Sequence, residues 1–386
     1  MKTNLLRWLP GVIAGLLLAA APGRAQNEPS RGEVFNWLRQ ARGSTLAGDK
    51  AKAGKLIDDA RAWCRRNKDA LATAWTEHLA GEFDFAAGDR AKATTAFRAS
   101  LEAFTSLKNQ AGIASCHLNL GRLAFAGGDF TEAMKHQSAA LEVYRSVNRA
   151  VDEAAVQCDL AATCQAIGKT AEAKDHWQKA LATYLDRSTR DVAGELRVRL
   201  QLGALCEATG DTGDAIKHYL AAVELAGQLK ATDEEARSRN ALGAIHQRQG
   251  NFDEARKQYD GALKVVTDKA VEASLRNNLG ALMQEQGKSN EALQEFTKAL
   301  ALFENQGNEA GLARAQYNIA LLHEAGGRND DAIRAYERSL VLRRKLKDEA
   351  GVVRILDGLA LLYATAGKAD RAKECRDEAD RLRTRR

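Results

Sequence analysis

No proline follows Pro29 in this chain of 386 residues, and the other two, Pro10 and Pro22, lie earlier still. Proline breaks helices by removing an N–H and clashing with the turn before it. Its absence leaves almost the whole chain free to be helical. Aromatic residues are few, at 6%. No stretch alternates apolar and polar residues with a period of two, which argues against strands. There is no Cys-x-x-Cys, so zinc-ribbon and dithiol redox readings have no support. Beyond the first 25 residues no apolar run approaches the roughly 20 needed to span a bilayer. What the chain has is charge of both signs (28%), much alanine, and 31 glycines, many at regular intervals.

The intervals define a repeat. A Gly followed five residues later by Ala recurs along the chain at Gly48, Gly88, Gly128, Gly168, Gly210, Gly250, Gly287, Gly327 and Gly367. The spacings are 40, 40, 40, 42, 40, 37, 40 and 40 residues. Seven residues before each Gly stands another small residue, from Ala41 and Gly81 to Ala320 and Ala360. Four after the Ala comes an aromatic ring in six of the nine units: Phe97, Trp177, Tyr219, Tyr259, Phe296 and Tyr336. Seven after it comes Ala or Ser in all nine.

One unit, Ala236 to Leu263, shows what this spells. Ala236, Leu242, Ile245 and Gln249 share one side of a 3.6-residue period with Gly243. Gly250 ends that helix in a left-handed turn, and Asn251 is placed to cap the next. Ala255, Tyr259, Ala262 and Leu263 then form a second apolar stripe. The small residues Gly243 and Ala255 let the two helices approach. Neither helix can bury its stripe alone, so each hairpin needs neighbours.

Leu-Gly, Gly, Ala, aromatic and Ala at these spacings resemble the tetratricopeptide repeat over about residues 34–386. The period exceeds the usual 34 residues and the customary proline is missing, as in the longer repeats of kinesin light chain and of bacterial scaffold proteins. The resemblance implies an all-α fold: a right-handed α-solenoid of about nine helical hairpins, which grows by stacking. The polar last helix, from Asp370, suits a solubilising cap. The joints between units share a form, as in Glu309-Ala310-Gly311-Leu312 and Glu349-Ala350-Gly351-Val352.

Residues 1–25 read as a signal peptide: Lys2 and Arg7, a short apolar run to Ala21, then Pro22, Gly23 and Ala25 before a cut. An uncleaved anchor is the alternative. Residues 26–33 read as a flexible lead. Loss of Lys2, Arg7 and Arg24 takes the net charge from +6 to +3, too weak to argue for nucleic acid. An exported chain, periplasmic or secreted, with no stable membrane insertion is the expectation. Its six cysteines read as buried thiols, because Cys158 and Cys164 diverge on one helix and stacked helices hold Cys164 and Cys206 too far apart to pair.

Sites of chemistry are sparse. Gly168-Lys169-Thr170 and Gly287-Lys288-Ser289 lack the earlier Gly of a phosphate loop, holding Thr163 and Leu282 instead. His136, His176 and His218 recur at one position and point in parallel, so they do not converge on a metal. No catalytic group, cofactor or metal is indicated. In the resembled family the first helices line a groove for peptides. By register its edge holds Arg197, Arg237, Arg314 and Arg354, where earlier units hold Phe35, Trp75, Ser115 and Ala155. Deeper positions hold Asn119, Asn240, Asn277, Asn278 and Asn318, above a floor of alanines. Asn amides both donate and accept, and Arg forks onto carboxylates. Arg197, Arg237, Asn240, Asn277, Asn278, Arg314, Asn318 and Arg354 are therefore the candidate peptide-binding residues, for an extended or acidic segment. Competing readings are an accessory subunit of a cell-envelope enzyme or assembly, and a self-associating scaffold. N-terminal sequencing of the exported chain is expected to read Gln26; an intact Met1 in the cytosolic fraction would exclude export.

Overall fold

The computed structural model describes residues 29–384, which contain eighteen α-helices and no strand. The signal segment lies outside the described residues. The chain divides into two compact units, residues 1–205 and 206–386.

In the N-terminal unit the helices are α1 (Arg31–Leu46), α2 (Lys50–Asn67), α3 (Ala70–Ala87), α4 (Arg90–Ser106), α5 (Gln110–Gly127), α6 (Phe130–Ser146), α7 (Ala150–Ala166) and α8 (Thr170–Leu185). Helix α9 (Val192–Ala208) begins here. The C-terminal unit holds α10 (Thr212–Leu229), α11 (Thr232–Arg248), α12 (Phe252–Val265), α13 (Lys269–Glu285), α14 (Ser289–Asn305), α15 (Glu309–Ala325), α16 (Asn329–Lys345), α17 (Glu349–Thr365) and α18 (Ala369–Thr384). Each odd-numbered helix from α1 to α7 and from α11 to α17 packs antiparallel on its successor as a hairpin. Within each unit the first helices of successive hairpins also touch, as α1 touches α3 and α11 touches α13. They therefore form an inner layer, with the second helices outside.

Helix α1 starts at Arg31, within the stretch read as a lead. Ser30 accepts from Glu33 N and the Glu33 carboxylate accepts from Ser30 N, a capping box. Trp63 Nε1 on α2 donates to Pro29 O at 2.8 Å, which ties this start down.

The nine turn glycines all have positive φ, from 72° to 91°. Aspartate or asparagine often follows and caps the second helix, as Asp49 accepts from Lys52 N and Asp129 from Glu132 N. Asn251 differs: its side chain makes no cap bond and turns to Gln249 instead. Gln249 itself is exposed at the end of α11 rather than on the buried stripe.

In three hairpins the helix-to-helix contact is made by a ring on a glycine. A Cβ at Gly243 would lie 2.5 Å from the Tyr259 ring, and one at Gly81 or Gly280 would lie 2.8 Å from Phe97 or Phe296. Thus Tyr259, rather than Ala255 alone, sets the approach to Gly243, although Ala255 is fully buried beside it. A second ring bridges to the next hairpin, where a Cβ at Gly112 or Gly311 would meet Phe104 or Phe303 at 2.4 Å. Where the first ring carries a polar tip, it reaches back twelve residues. Trp177 Nε1 donates to Gln165 (3.0 Å), Tyr219 to Glu207 (3.2 Å), Tyr259 to Gln247 (3.0 Å) and Tyr336 to Glu324 (2.6 Å). The buried ring thereby keeps its polar tip satisfied.

Gly243→Ala is expected to lower stability by ~1–3 kcal/mol through this overlap. The check is a urea unfolding midpoint set against Gly213→Ala, at a site with no neighbour within 4 Å. Equal shifts in the two variants would remove the ring-on-glycine contact from its central place.

Candidate functional site

The predicted groove residues divide between the two units. Arg197, on α9, belongs to the N-terminal unit, where its charge acts on Asp159 and Cys158. The other seven lie on the inner helices of the C-terminal unit.

There the asparagines join into pairs between successive first helices. Asn278 Nδ2 on α13 donates to Asn240 Oδ1 on α11 at 2.9 Å, and Asn318 Nδ2 on α15 donates to Asn277 Oδ1 at 3.1 Å. Asn277 is buried, while Asn240, Asn278 and Asn318 keep part of their surface. Each bond leaves further amide donor and acceptor capacity. Arg237 is exposed, but it donates to Asp268 at 2.9 Å and lies 3.8 Å from Glu234. Asp268 reaches it because Asp233 accepts from the backbone N–H groups of Thr267 and Asp268, both at 2.8 Å, which pins the joint of the shortened 37-residue repeat. Arg314 and Arg354 are exposed and have no carboxylate within ion-pair distance among the described residues. The surrounding protein and then Arg343 hold the Arg314 pKa below its usual value. Two nearby acids are engaged elsewhere: Glu207 accepts from Tyr219 and Arg248, and Glu324 from Tyr336.

The N-terminal unit contains a polar network that the sequence reading missed. Arg42 on α1 pairs with Glu82 on α3 at 3.2 Å, and Arg122 Nε on α5 pairs with Asp159 on α7 at 2.6 Å. Glu82, Arg122 and their surroundings are almost solvent-free, and Nη1 and Nη2 of Arg122 are buried without a protein partner among the described residues. His78 extends the first pair. Its Nε2 lies 3.4 Å from Glu82, 3.1 Å from Ser115 Oγ and 3.3 Å from Asn119 Nδ2, and its Nδ1 lies 3.5 Å from Cys116 Sγ. Trp75, Phe97 and Phe104 surround the imidazole edge-on. A signal was present: Arg42, Glu82 and Arg122 each follow the small residue of their repeat, alternating in sign every 40 residues.

Cys116, His78 and Glu82 stand in the order of a nucleophile, a base and its orienting acid. Cys116 has no exposed surface and His78 is 2% exposed, so no substrate atom reaches them and the line is structural. All six described cysteines are free thiols, five of them buried. No group of three or more His, Cys, Asp or Glu among the described residues is placed to hold a metal ion, and no described helix is long and apolar enough to cross a membrane. An open groove of about 550 Å³ lies between α2 and α3, but Arg61 and Glu77 in it are already forked together at 2.9 and 2.7 Å.

Stacked antiparallel hairpins with an inner layer of first helices define a helical-repeat solenoid. The tetratricopeptide-repeat profile matches residues 72–146, 112–186, 152–228, 234–305 and 311–379. The chain belongs to the tetratricopeptide-repeat family, whose fold is typical of protein–protein interaction scaffolds. Three solved structures share the fold. RapI in its apo form has a TM-score of 0.71 at 13% identity, covering 91% of this chain and 98% of that one. Aspartyl phosphate phosphatase F of Bacillus subtilis has a TM-score of 0.58 at 12% identity, covering 94% and 96%. A Rap protein in complex with Competence and Sporulation Factor has a TM-score of 0.53 at 14% identity, covering 84% and 89%. No curated protein matches the sequence.

The His78 environment has a consequence for pH. Burial disfavours the imidazolium, but the interactions of His78 with Cys116 and Glu82 outweigh it and raise the pKa from 6.5 to about 9. A folded-state pKa above the unfolded one means stability that is complete below about pH 6.5 and lost as pH rises through about 9. The wild type is expected to lose on the order of 2–3 kcal/mol over that window relative to His78→Gln. Parallel urea midpoints for the two proteins from pH 6 to 9.5 would show no imidazolium in the folded state.

Proposed function

We propose that the chain is an exported, non-enzymatic scaffold that holds an extended, acidic segment of another protein on the inner face of its C-terminal unit. The observation that carries this reading is the pair Arg314 and Arg354, exposed and outside ion-pair distance of any carboxylate among the described residues, beside the asparagine pairs Asn240–Asn278 and Asn277–Asn318. Arginines one repeat apart repel one another unless an anion lies along them. An extended segment presents backbone N–H and C=O groups, which asparagine amides match. Its acidic side chains would take bidentate bonds from the two guanidinium groups. A rigid inner layer lowers the ordering cost on the protein side.

Peptide binding by a Rap protein of the same fold supports the class of partner. The fold leaves catalysis to be argued from groups in the chain, since one structure of this shape is a phosphatase. Here the one nucleophile-like line, at Cys116, is sealed. Export rests on residues 1–25.

The test is affinity capture with crosslinking from the cell envelope. Arg314→Glu with Arg354→Glu is expected to reduce capture of the specific partner at least tenfold. Reversal of Arg256 and Lys257, on the outer helix α12, should leave it within twofold. Because the contacts are partly exposed, capture should also weaken as salt rises. Equal loss from inner and outer reversals would remove the groove from the binding surface.

A further inference from the structure

The hairpin α5–α6 carries a pair of imidazoles with no role in the groove. His117 Nδ1 on α5 and His136 Nδ1 on α6 lie 2.9 Å apart, with ring centroids at 5.1 Å and planes inclined by 39°. The positions are nineteen residues apart, and this spacing makes a cross-hairpin contact elsewhere too. In the other cases it joins complementary groups: Gln157 with His176, Arg239 with Gln258, and Arg276 with Glu295. Only here do two metal-binding heterocycles meet in such a contact among these four. Both side chains are part-exposed, so the pair is open to solutes.

The protonation states can be worked out. Glu132, one turn before His136 on α6, lies 3.3 Å from His136 Nε2. A carboxylate there holds the proton on Nε2 and leaves the Nδ1 lone pair free, the arrangement that orients histidine ligands in metal sites. In the metal-free pair His117 Nδ1–H then donates to His136 Nδ1. Burial pushes both pKa values below the ordinary value, helped at His117 by its partner imidazole and Lys135, and at His136 opposed by Glu132 but helped by Lys135 and Arg98. A metal ion takes each ring in its neutral form.

We propose that His117 and His136 form a two-imidazole site for a divalent transition-metal ion, with Cu2+ preferred. For metal–nitrogen bonds of ~2.0–2.1 Å, nitrogens 2.9 Å apart subtend about 90° at the ion. That is the cis angle of a square-planar or tetragonal centre, which Cu2+ and Ni2+ adopt; tetrahedral Zn2+ needs the nitrogens farther apart. Each ring turns so that its lone pair meets the ion off the N···N line, and His117 moves its proton from Nδ1 to Nε2, for which no protein partner competes among the described residues. Water completes the coordination. Glu132 stays in place through its bonds to Lys135 at 3.1 and 3.2 Å. The positive charges of Lys135 and Arg98 oppose a cation, and protonation of the imidazoles in acid expels it.

The test titrates the full chain with Cu2+ in a non-coordinating buffer at pH 7.5, read by calorimetry and by electron paramagnetic resonance. One ion should bind per chain, with a tetragonal spectrum split by two imidazole nitrogens, and Zn2+ should bind at least tenfold more weakly. His117→Gln and His136→Gln should each weaken Cu2+ binding at least tenfold; circular dichroism checks that both variants keep their helix content. Glu132→Gln should have a smaller effect, and His246→Ala, on the C-terminal unit, none. At pH 5 binding should be lost. If the His117→Gln/His136→Gln double variant binds Cu2+ with the wild-type affinity and spectrum, the pair is a hydrogen bond and nothing more.

Discussion

In three of the hairpins the two helices meet where bare backbone faces an aromatic ring. The rings of Phe97, Tyr259 and Phe296 occupy space that a single methyl group on the facing glycine would claim. Such contacts gather a large apolar surface at one point, which a chain with few aromatics cannot otherwise do. They also fix how far the two helices separate, and with it the position of every inner residue. The bonds from Trp177, Tyr219, Tyr259 and Tyr336 to residues twelve earlier add an angular constraint, because a tethered ring cannot slide along the helix it covers.

On that frame the two units use their inner faces differently. In the N-terminal unit, oppositely charged groups on successive first helices satisfy one another: Arg42 with Glu82, Arg122 with Asp159. Removing one member of such a buried pair strands the other, at a cost of ~3–5 kcal/mol, although the intact pair contributes little net stability. This face is spent on holding hairpins in register. In the C-terminal unit two of the links are neutral amide pairs, beside the exposed Arg248–Glu207 ion pair, and Arg314 and Arg354 stand outside ion-pair distance of any carboxylate among the described residues.

The hairpin architecture was readable because its constraints are local and repeated. A left-handed turn at Gly250 or a close approach at Gly243 excludes most residue types, so the spacing shows directly. The groove was less readable because its state depends on partners one repeat away. Arg237 looks like Arg314 in the sequence, yet the three-residue deletion in its repeat brings Asp268 within 2.9 Å. The Arg42–Glu82–Arg122 alternation keeps one repeat position, but Asp159 sits three residues earlier than that position in its own unit, which hides the pattern. Asn251 carried a capping signal that the folded chain does not use.

The turns inside hairpins and the joints between them solve the same problem with different residues. Glycine takes the positive-φ position inside all nine hairpins, whereas Lys68, Lys108, Asn148, Lys230 and Lys347 take it at joints, with Gly307 as the glycine among them. A Cβ in the left-handed region costs roughly 1–2 kcal/mol, less for Asn. The lysine joints therefore hold conformational strain that the hairpins do not. Relieving it needs no change to any buried contact, so the array carries an unused reserve of stability at its seams. The same strain makes the joints at Lys68, Lys108, Lys230 and Lys347, rather than any point within a hairpin, the natural places for the array to part.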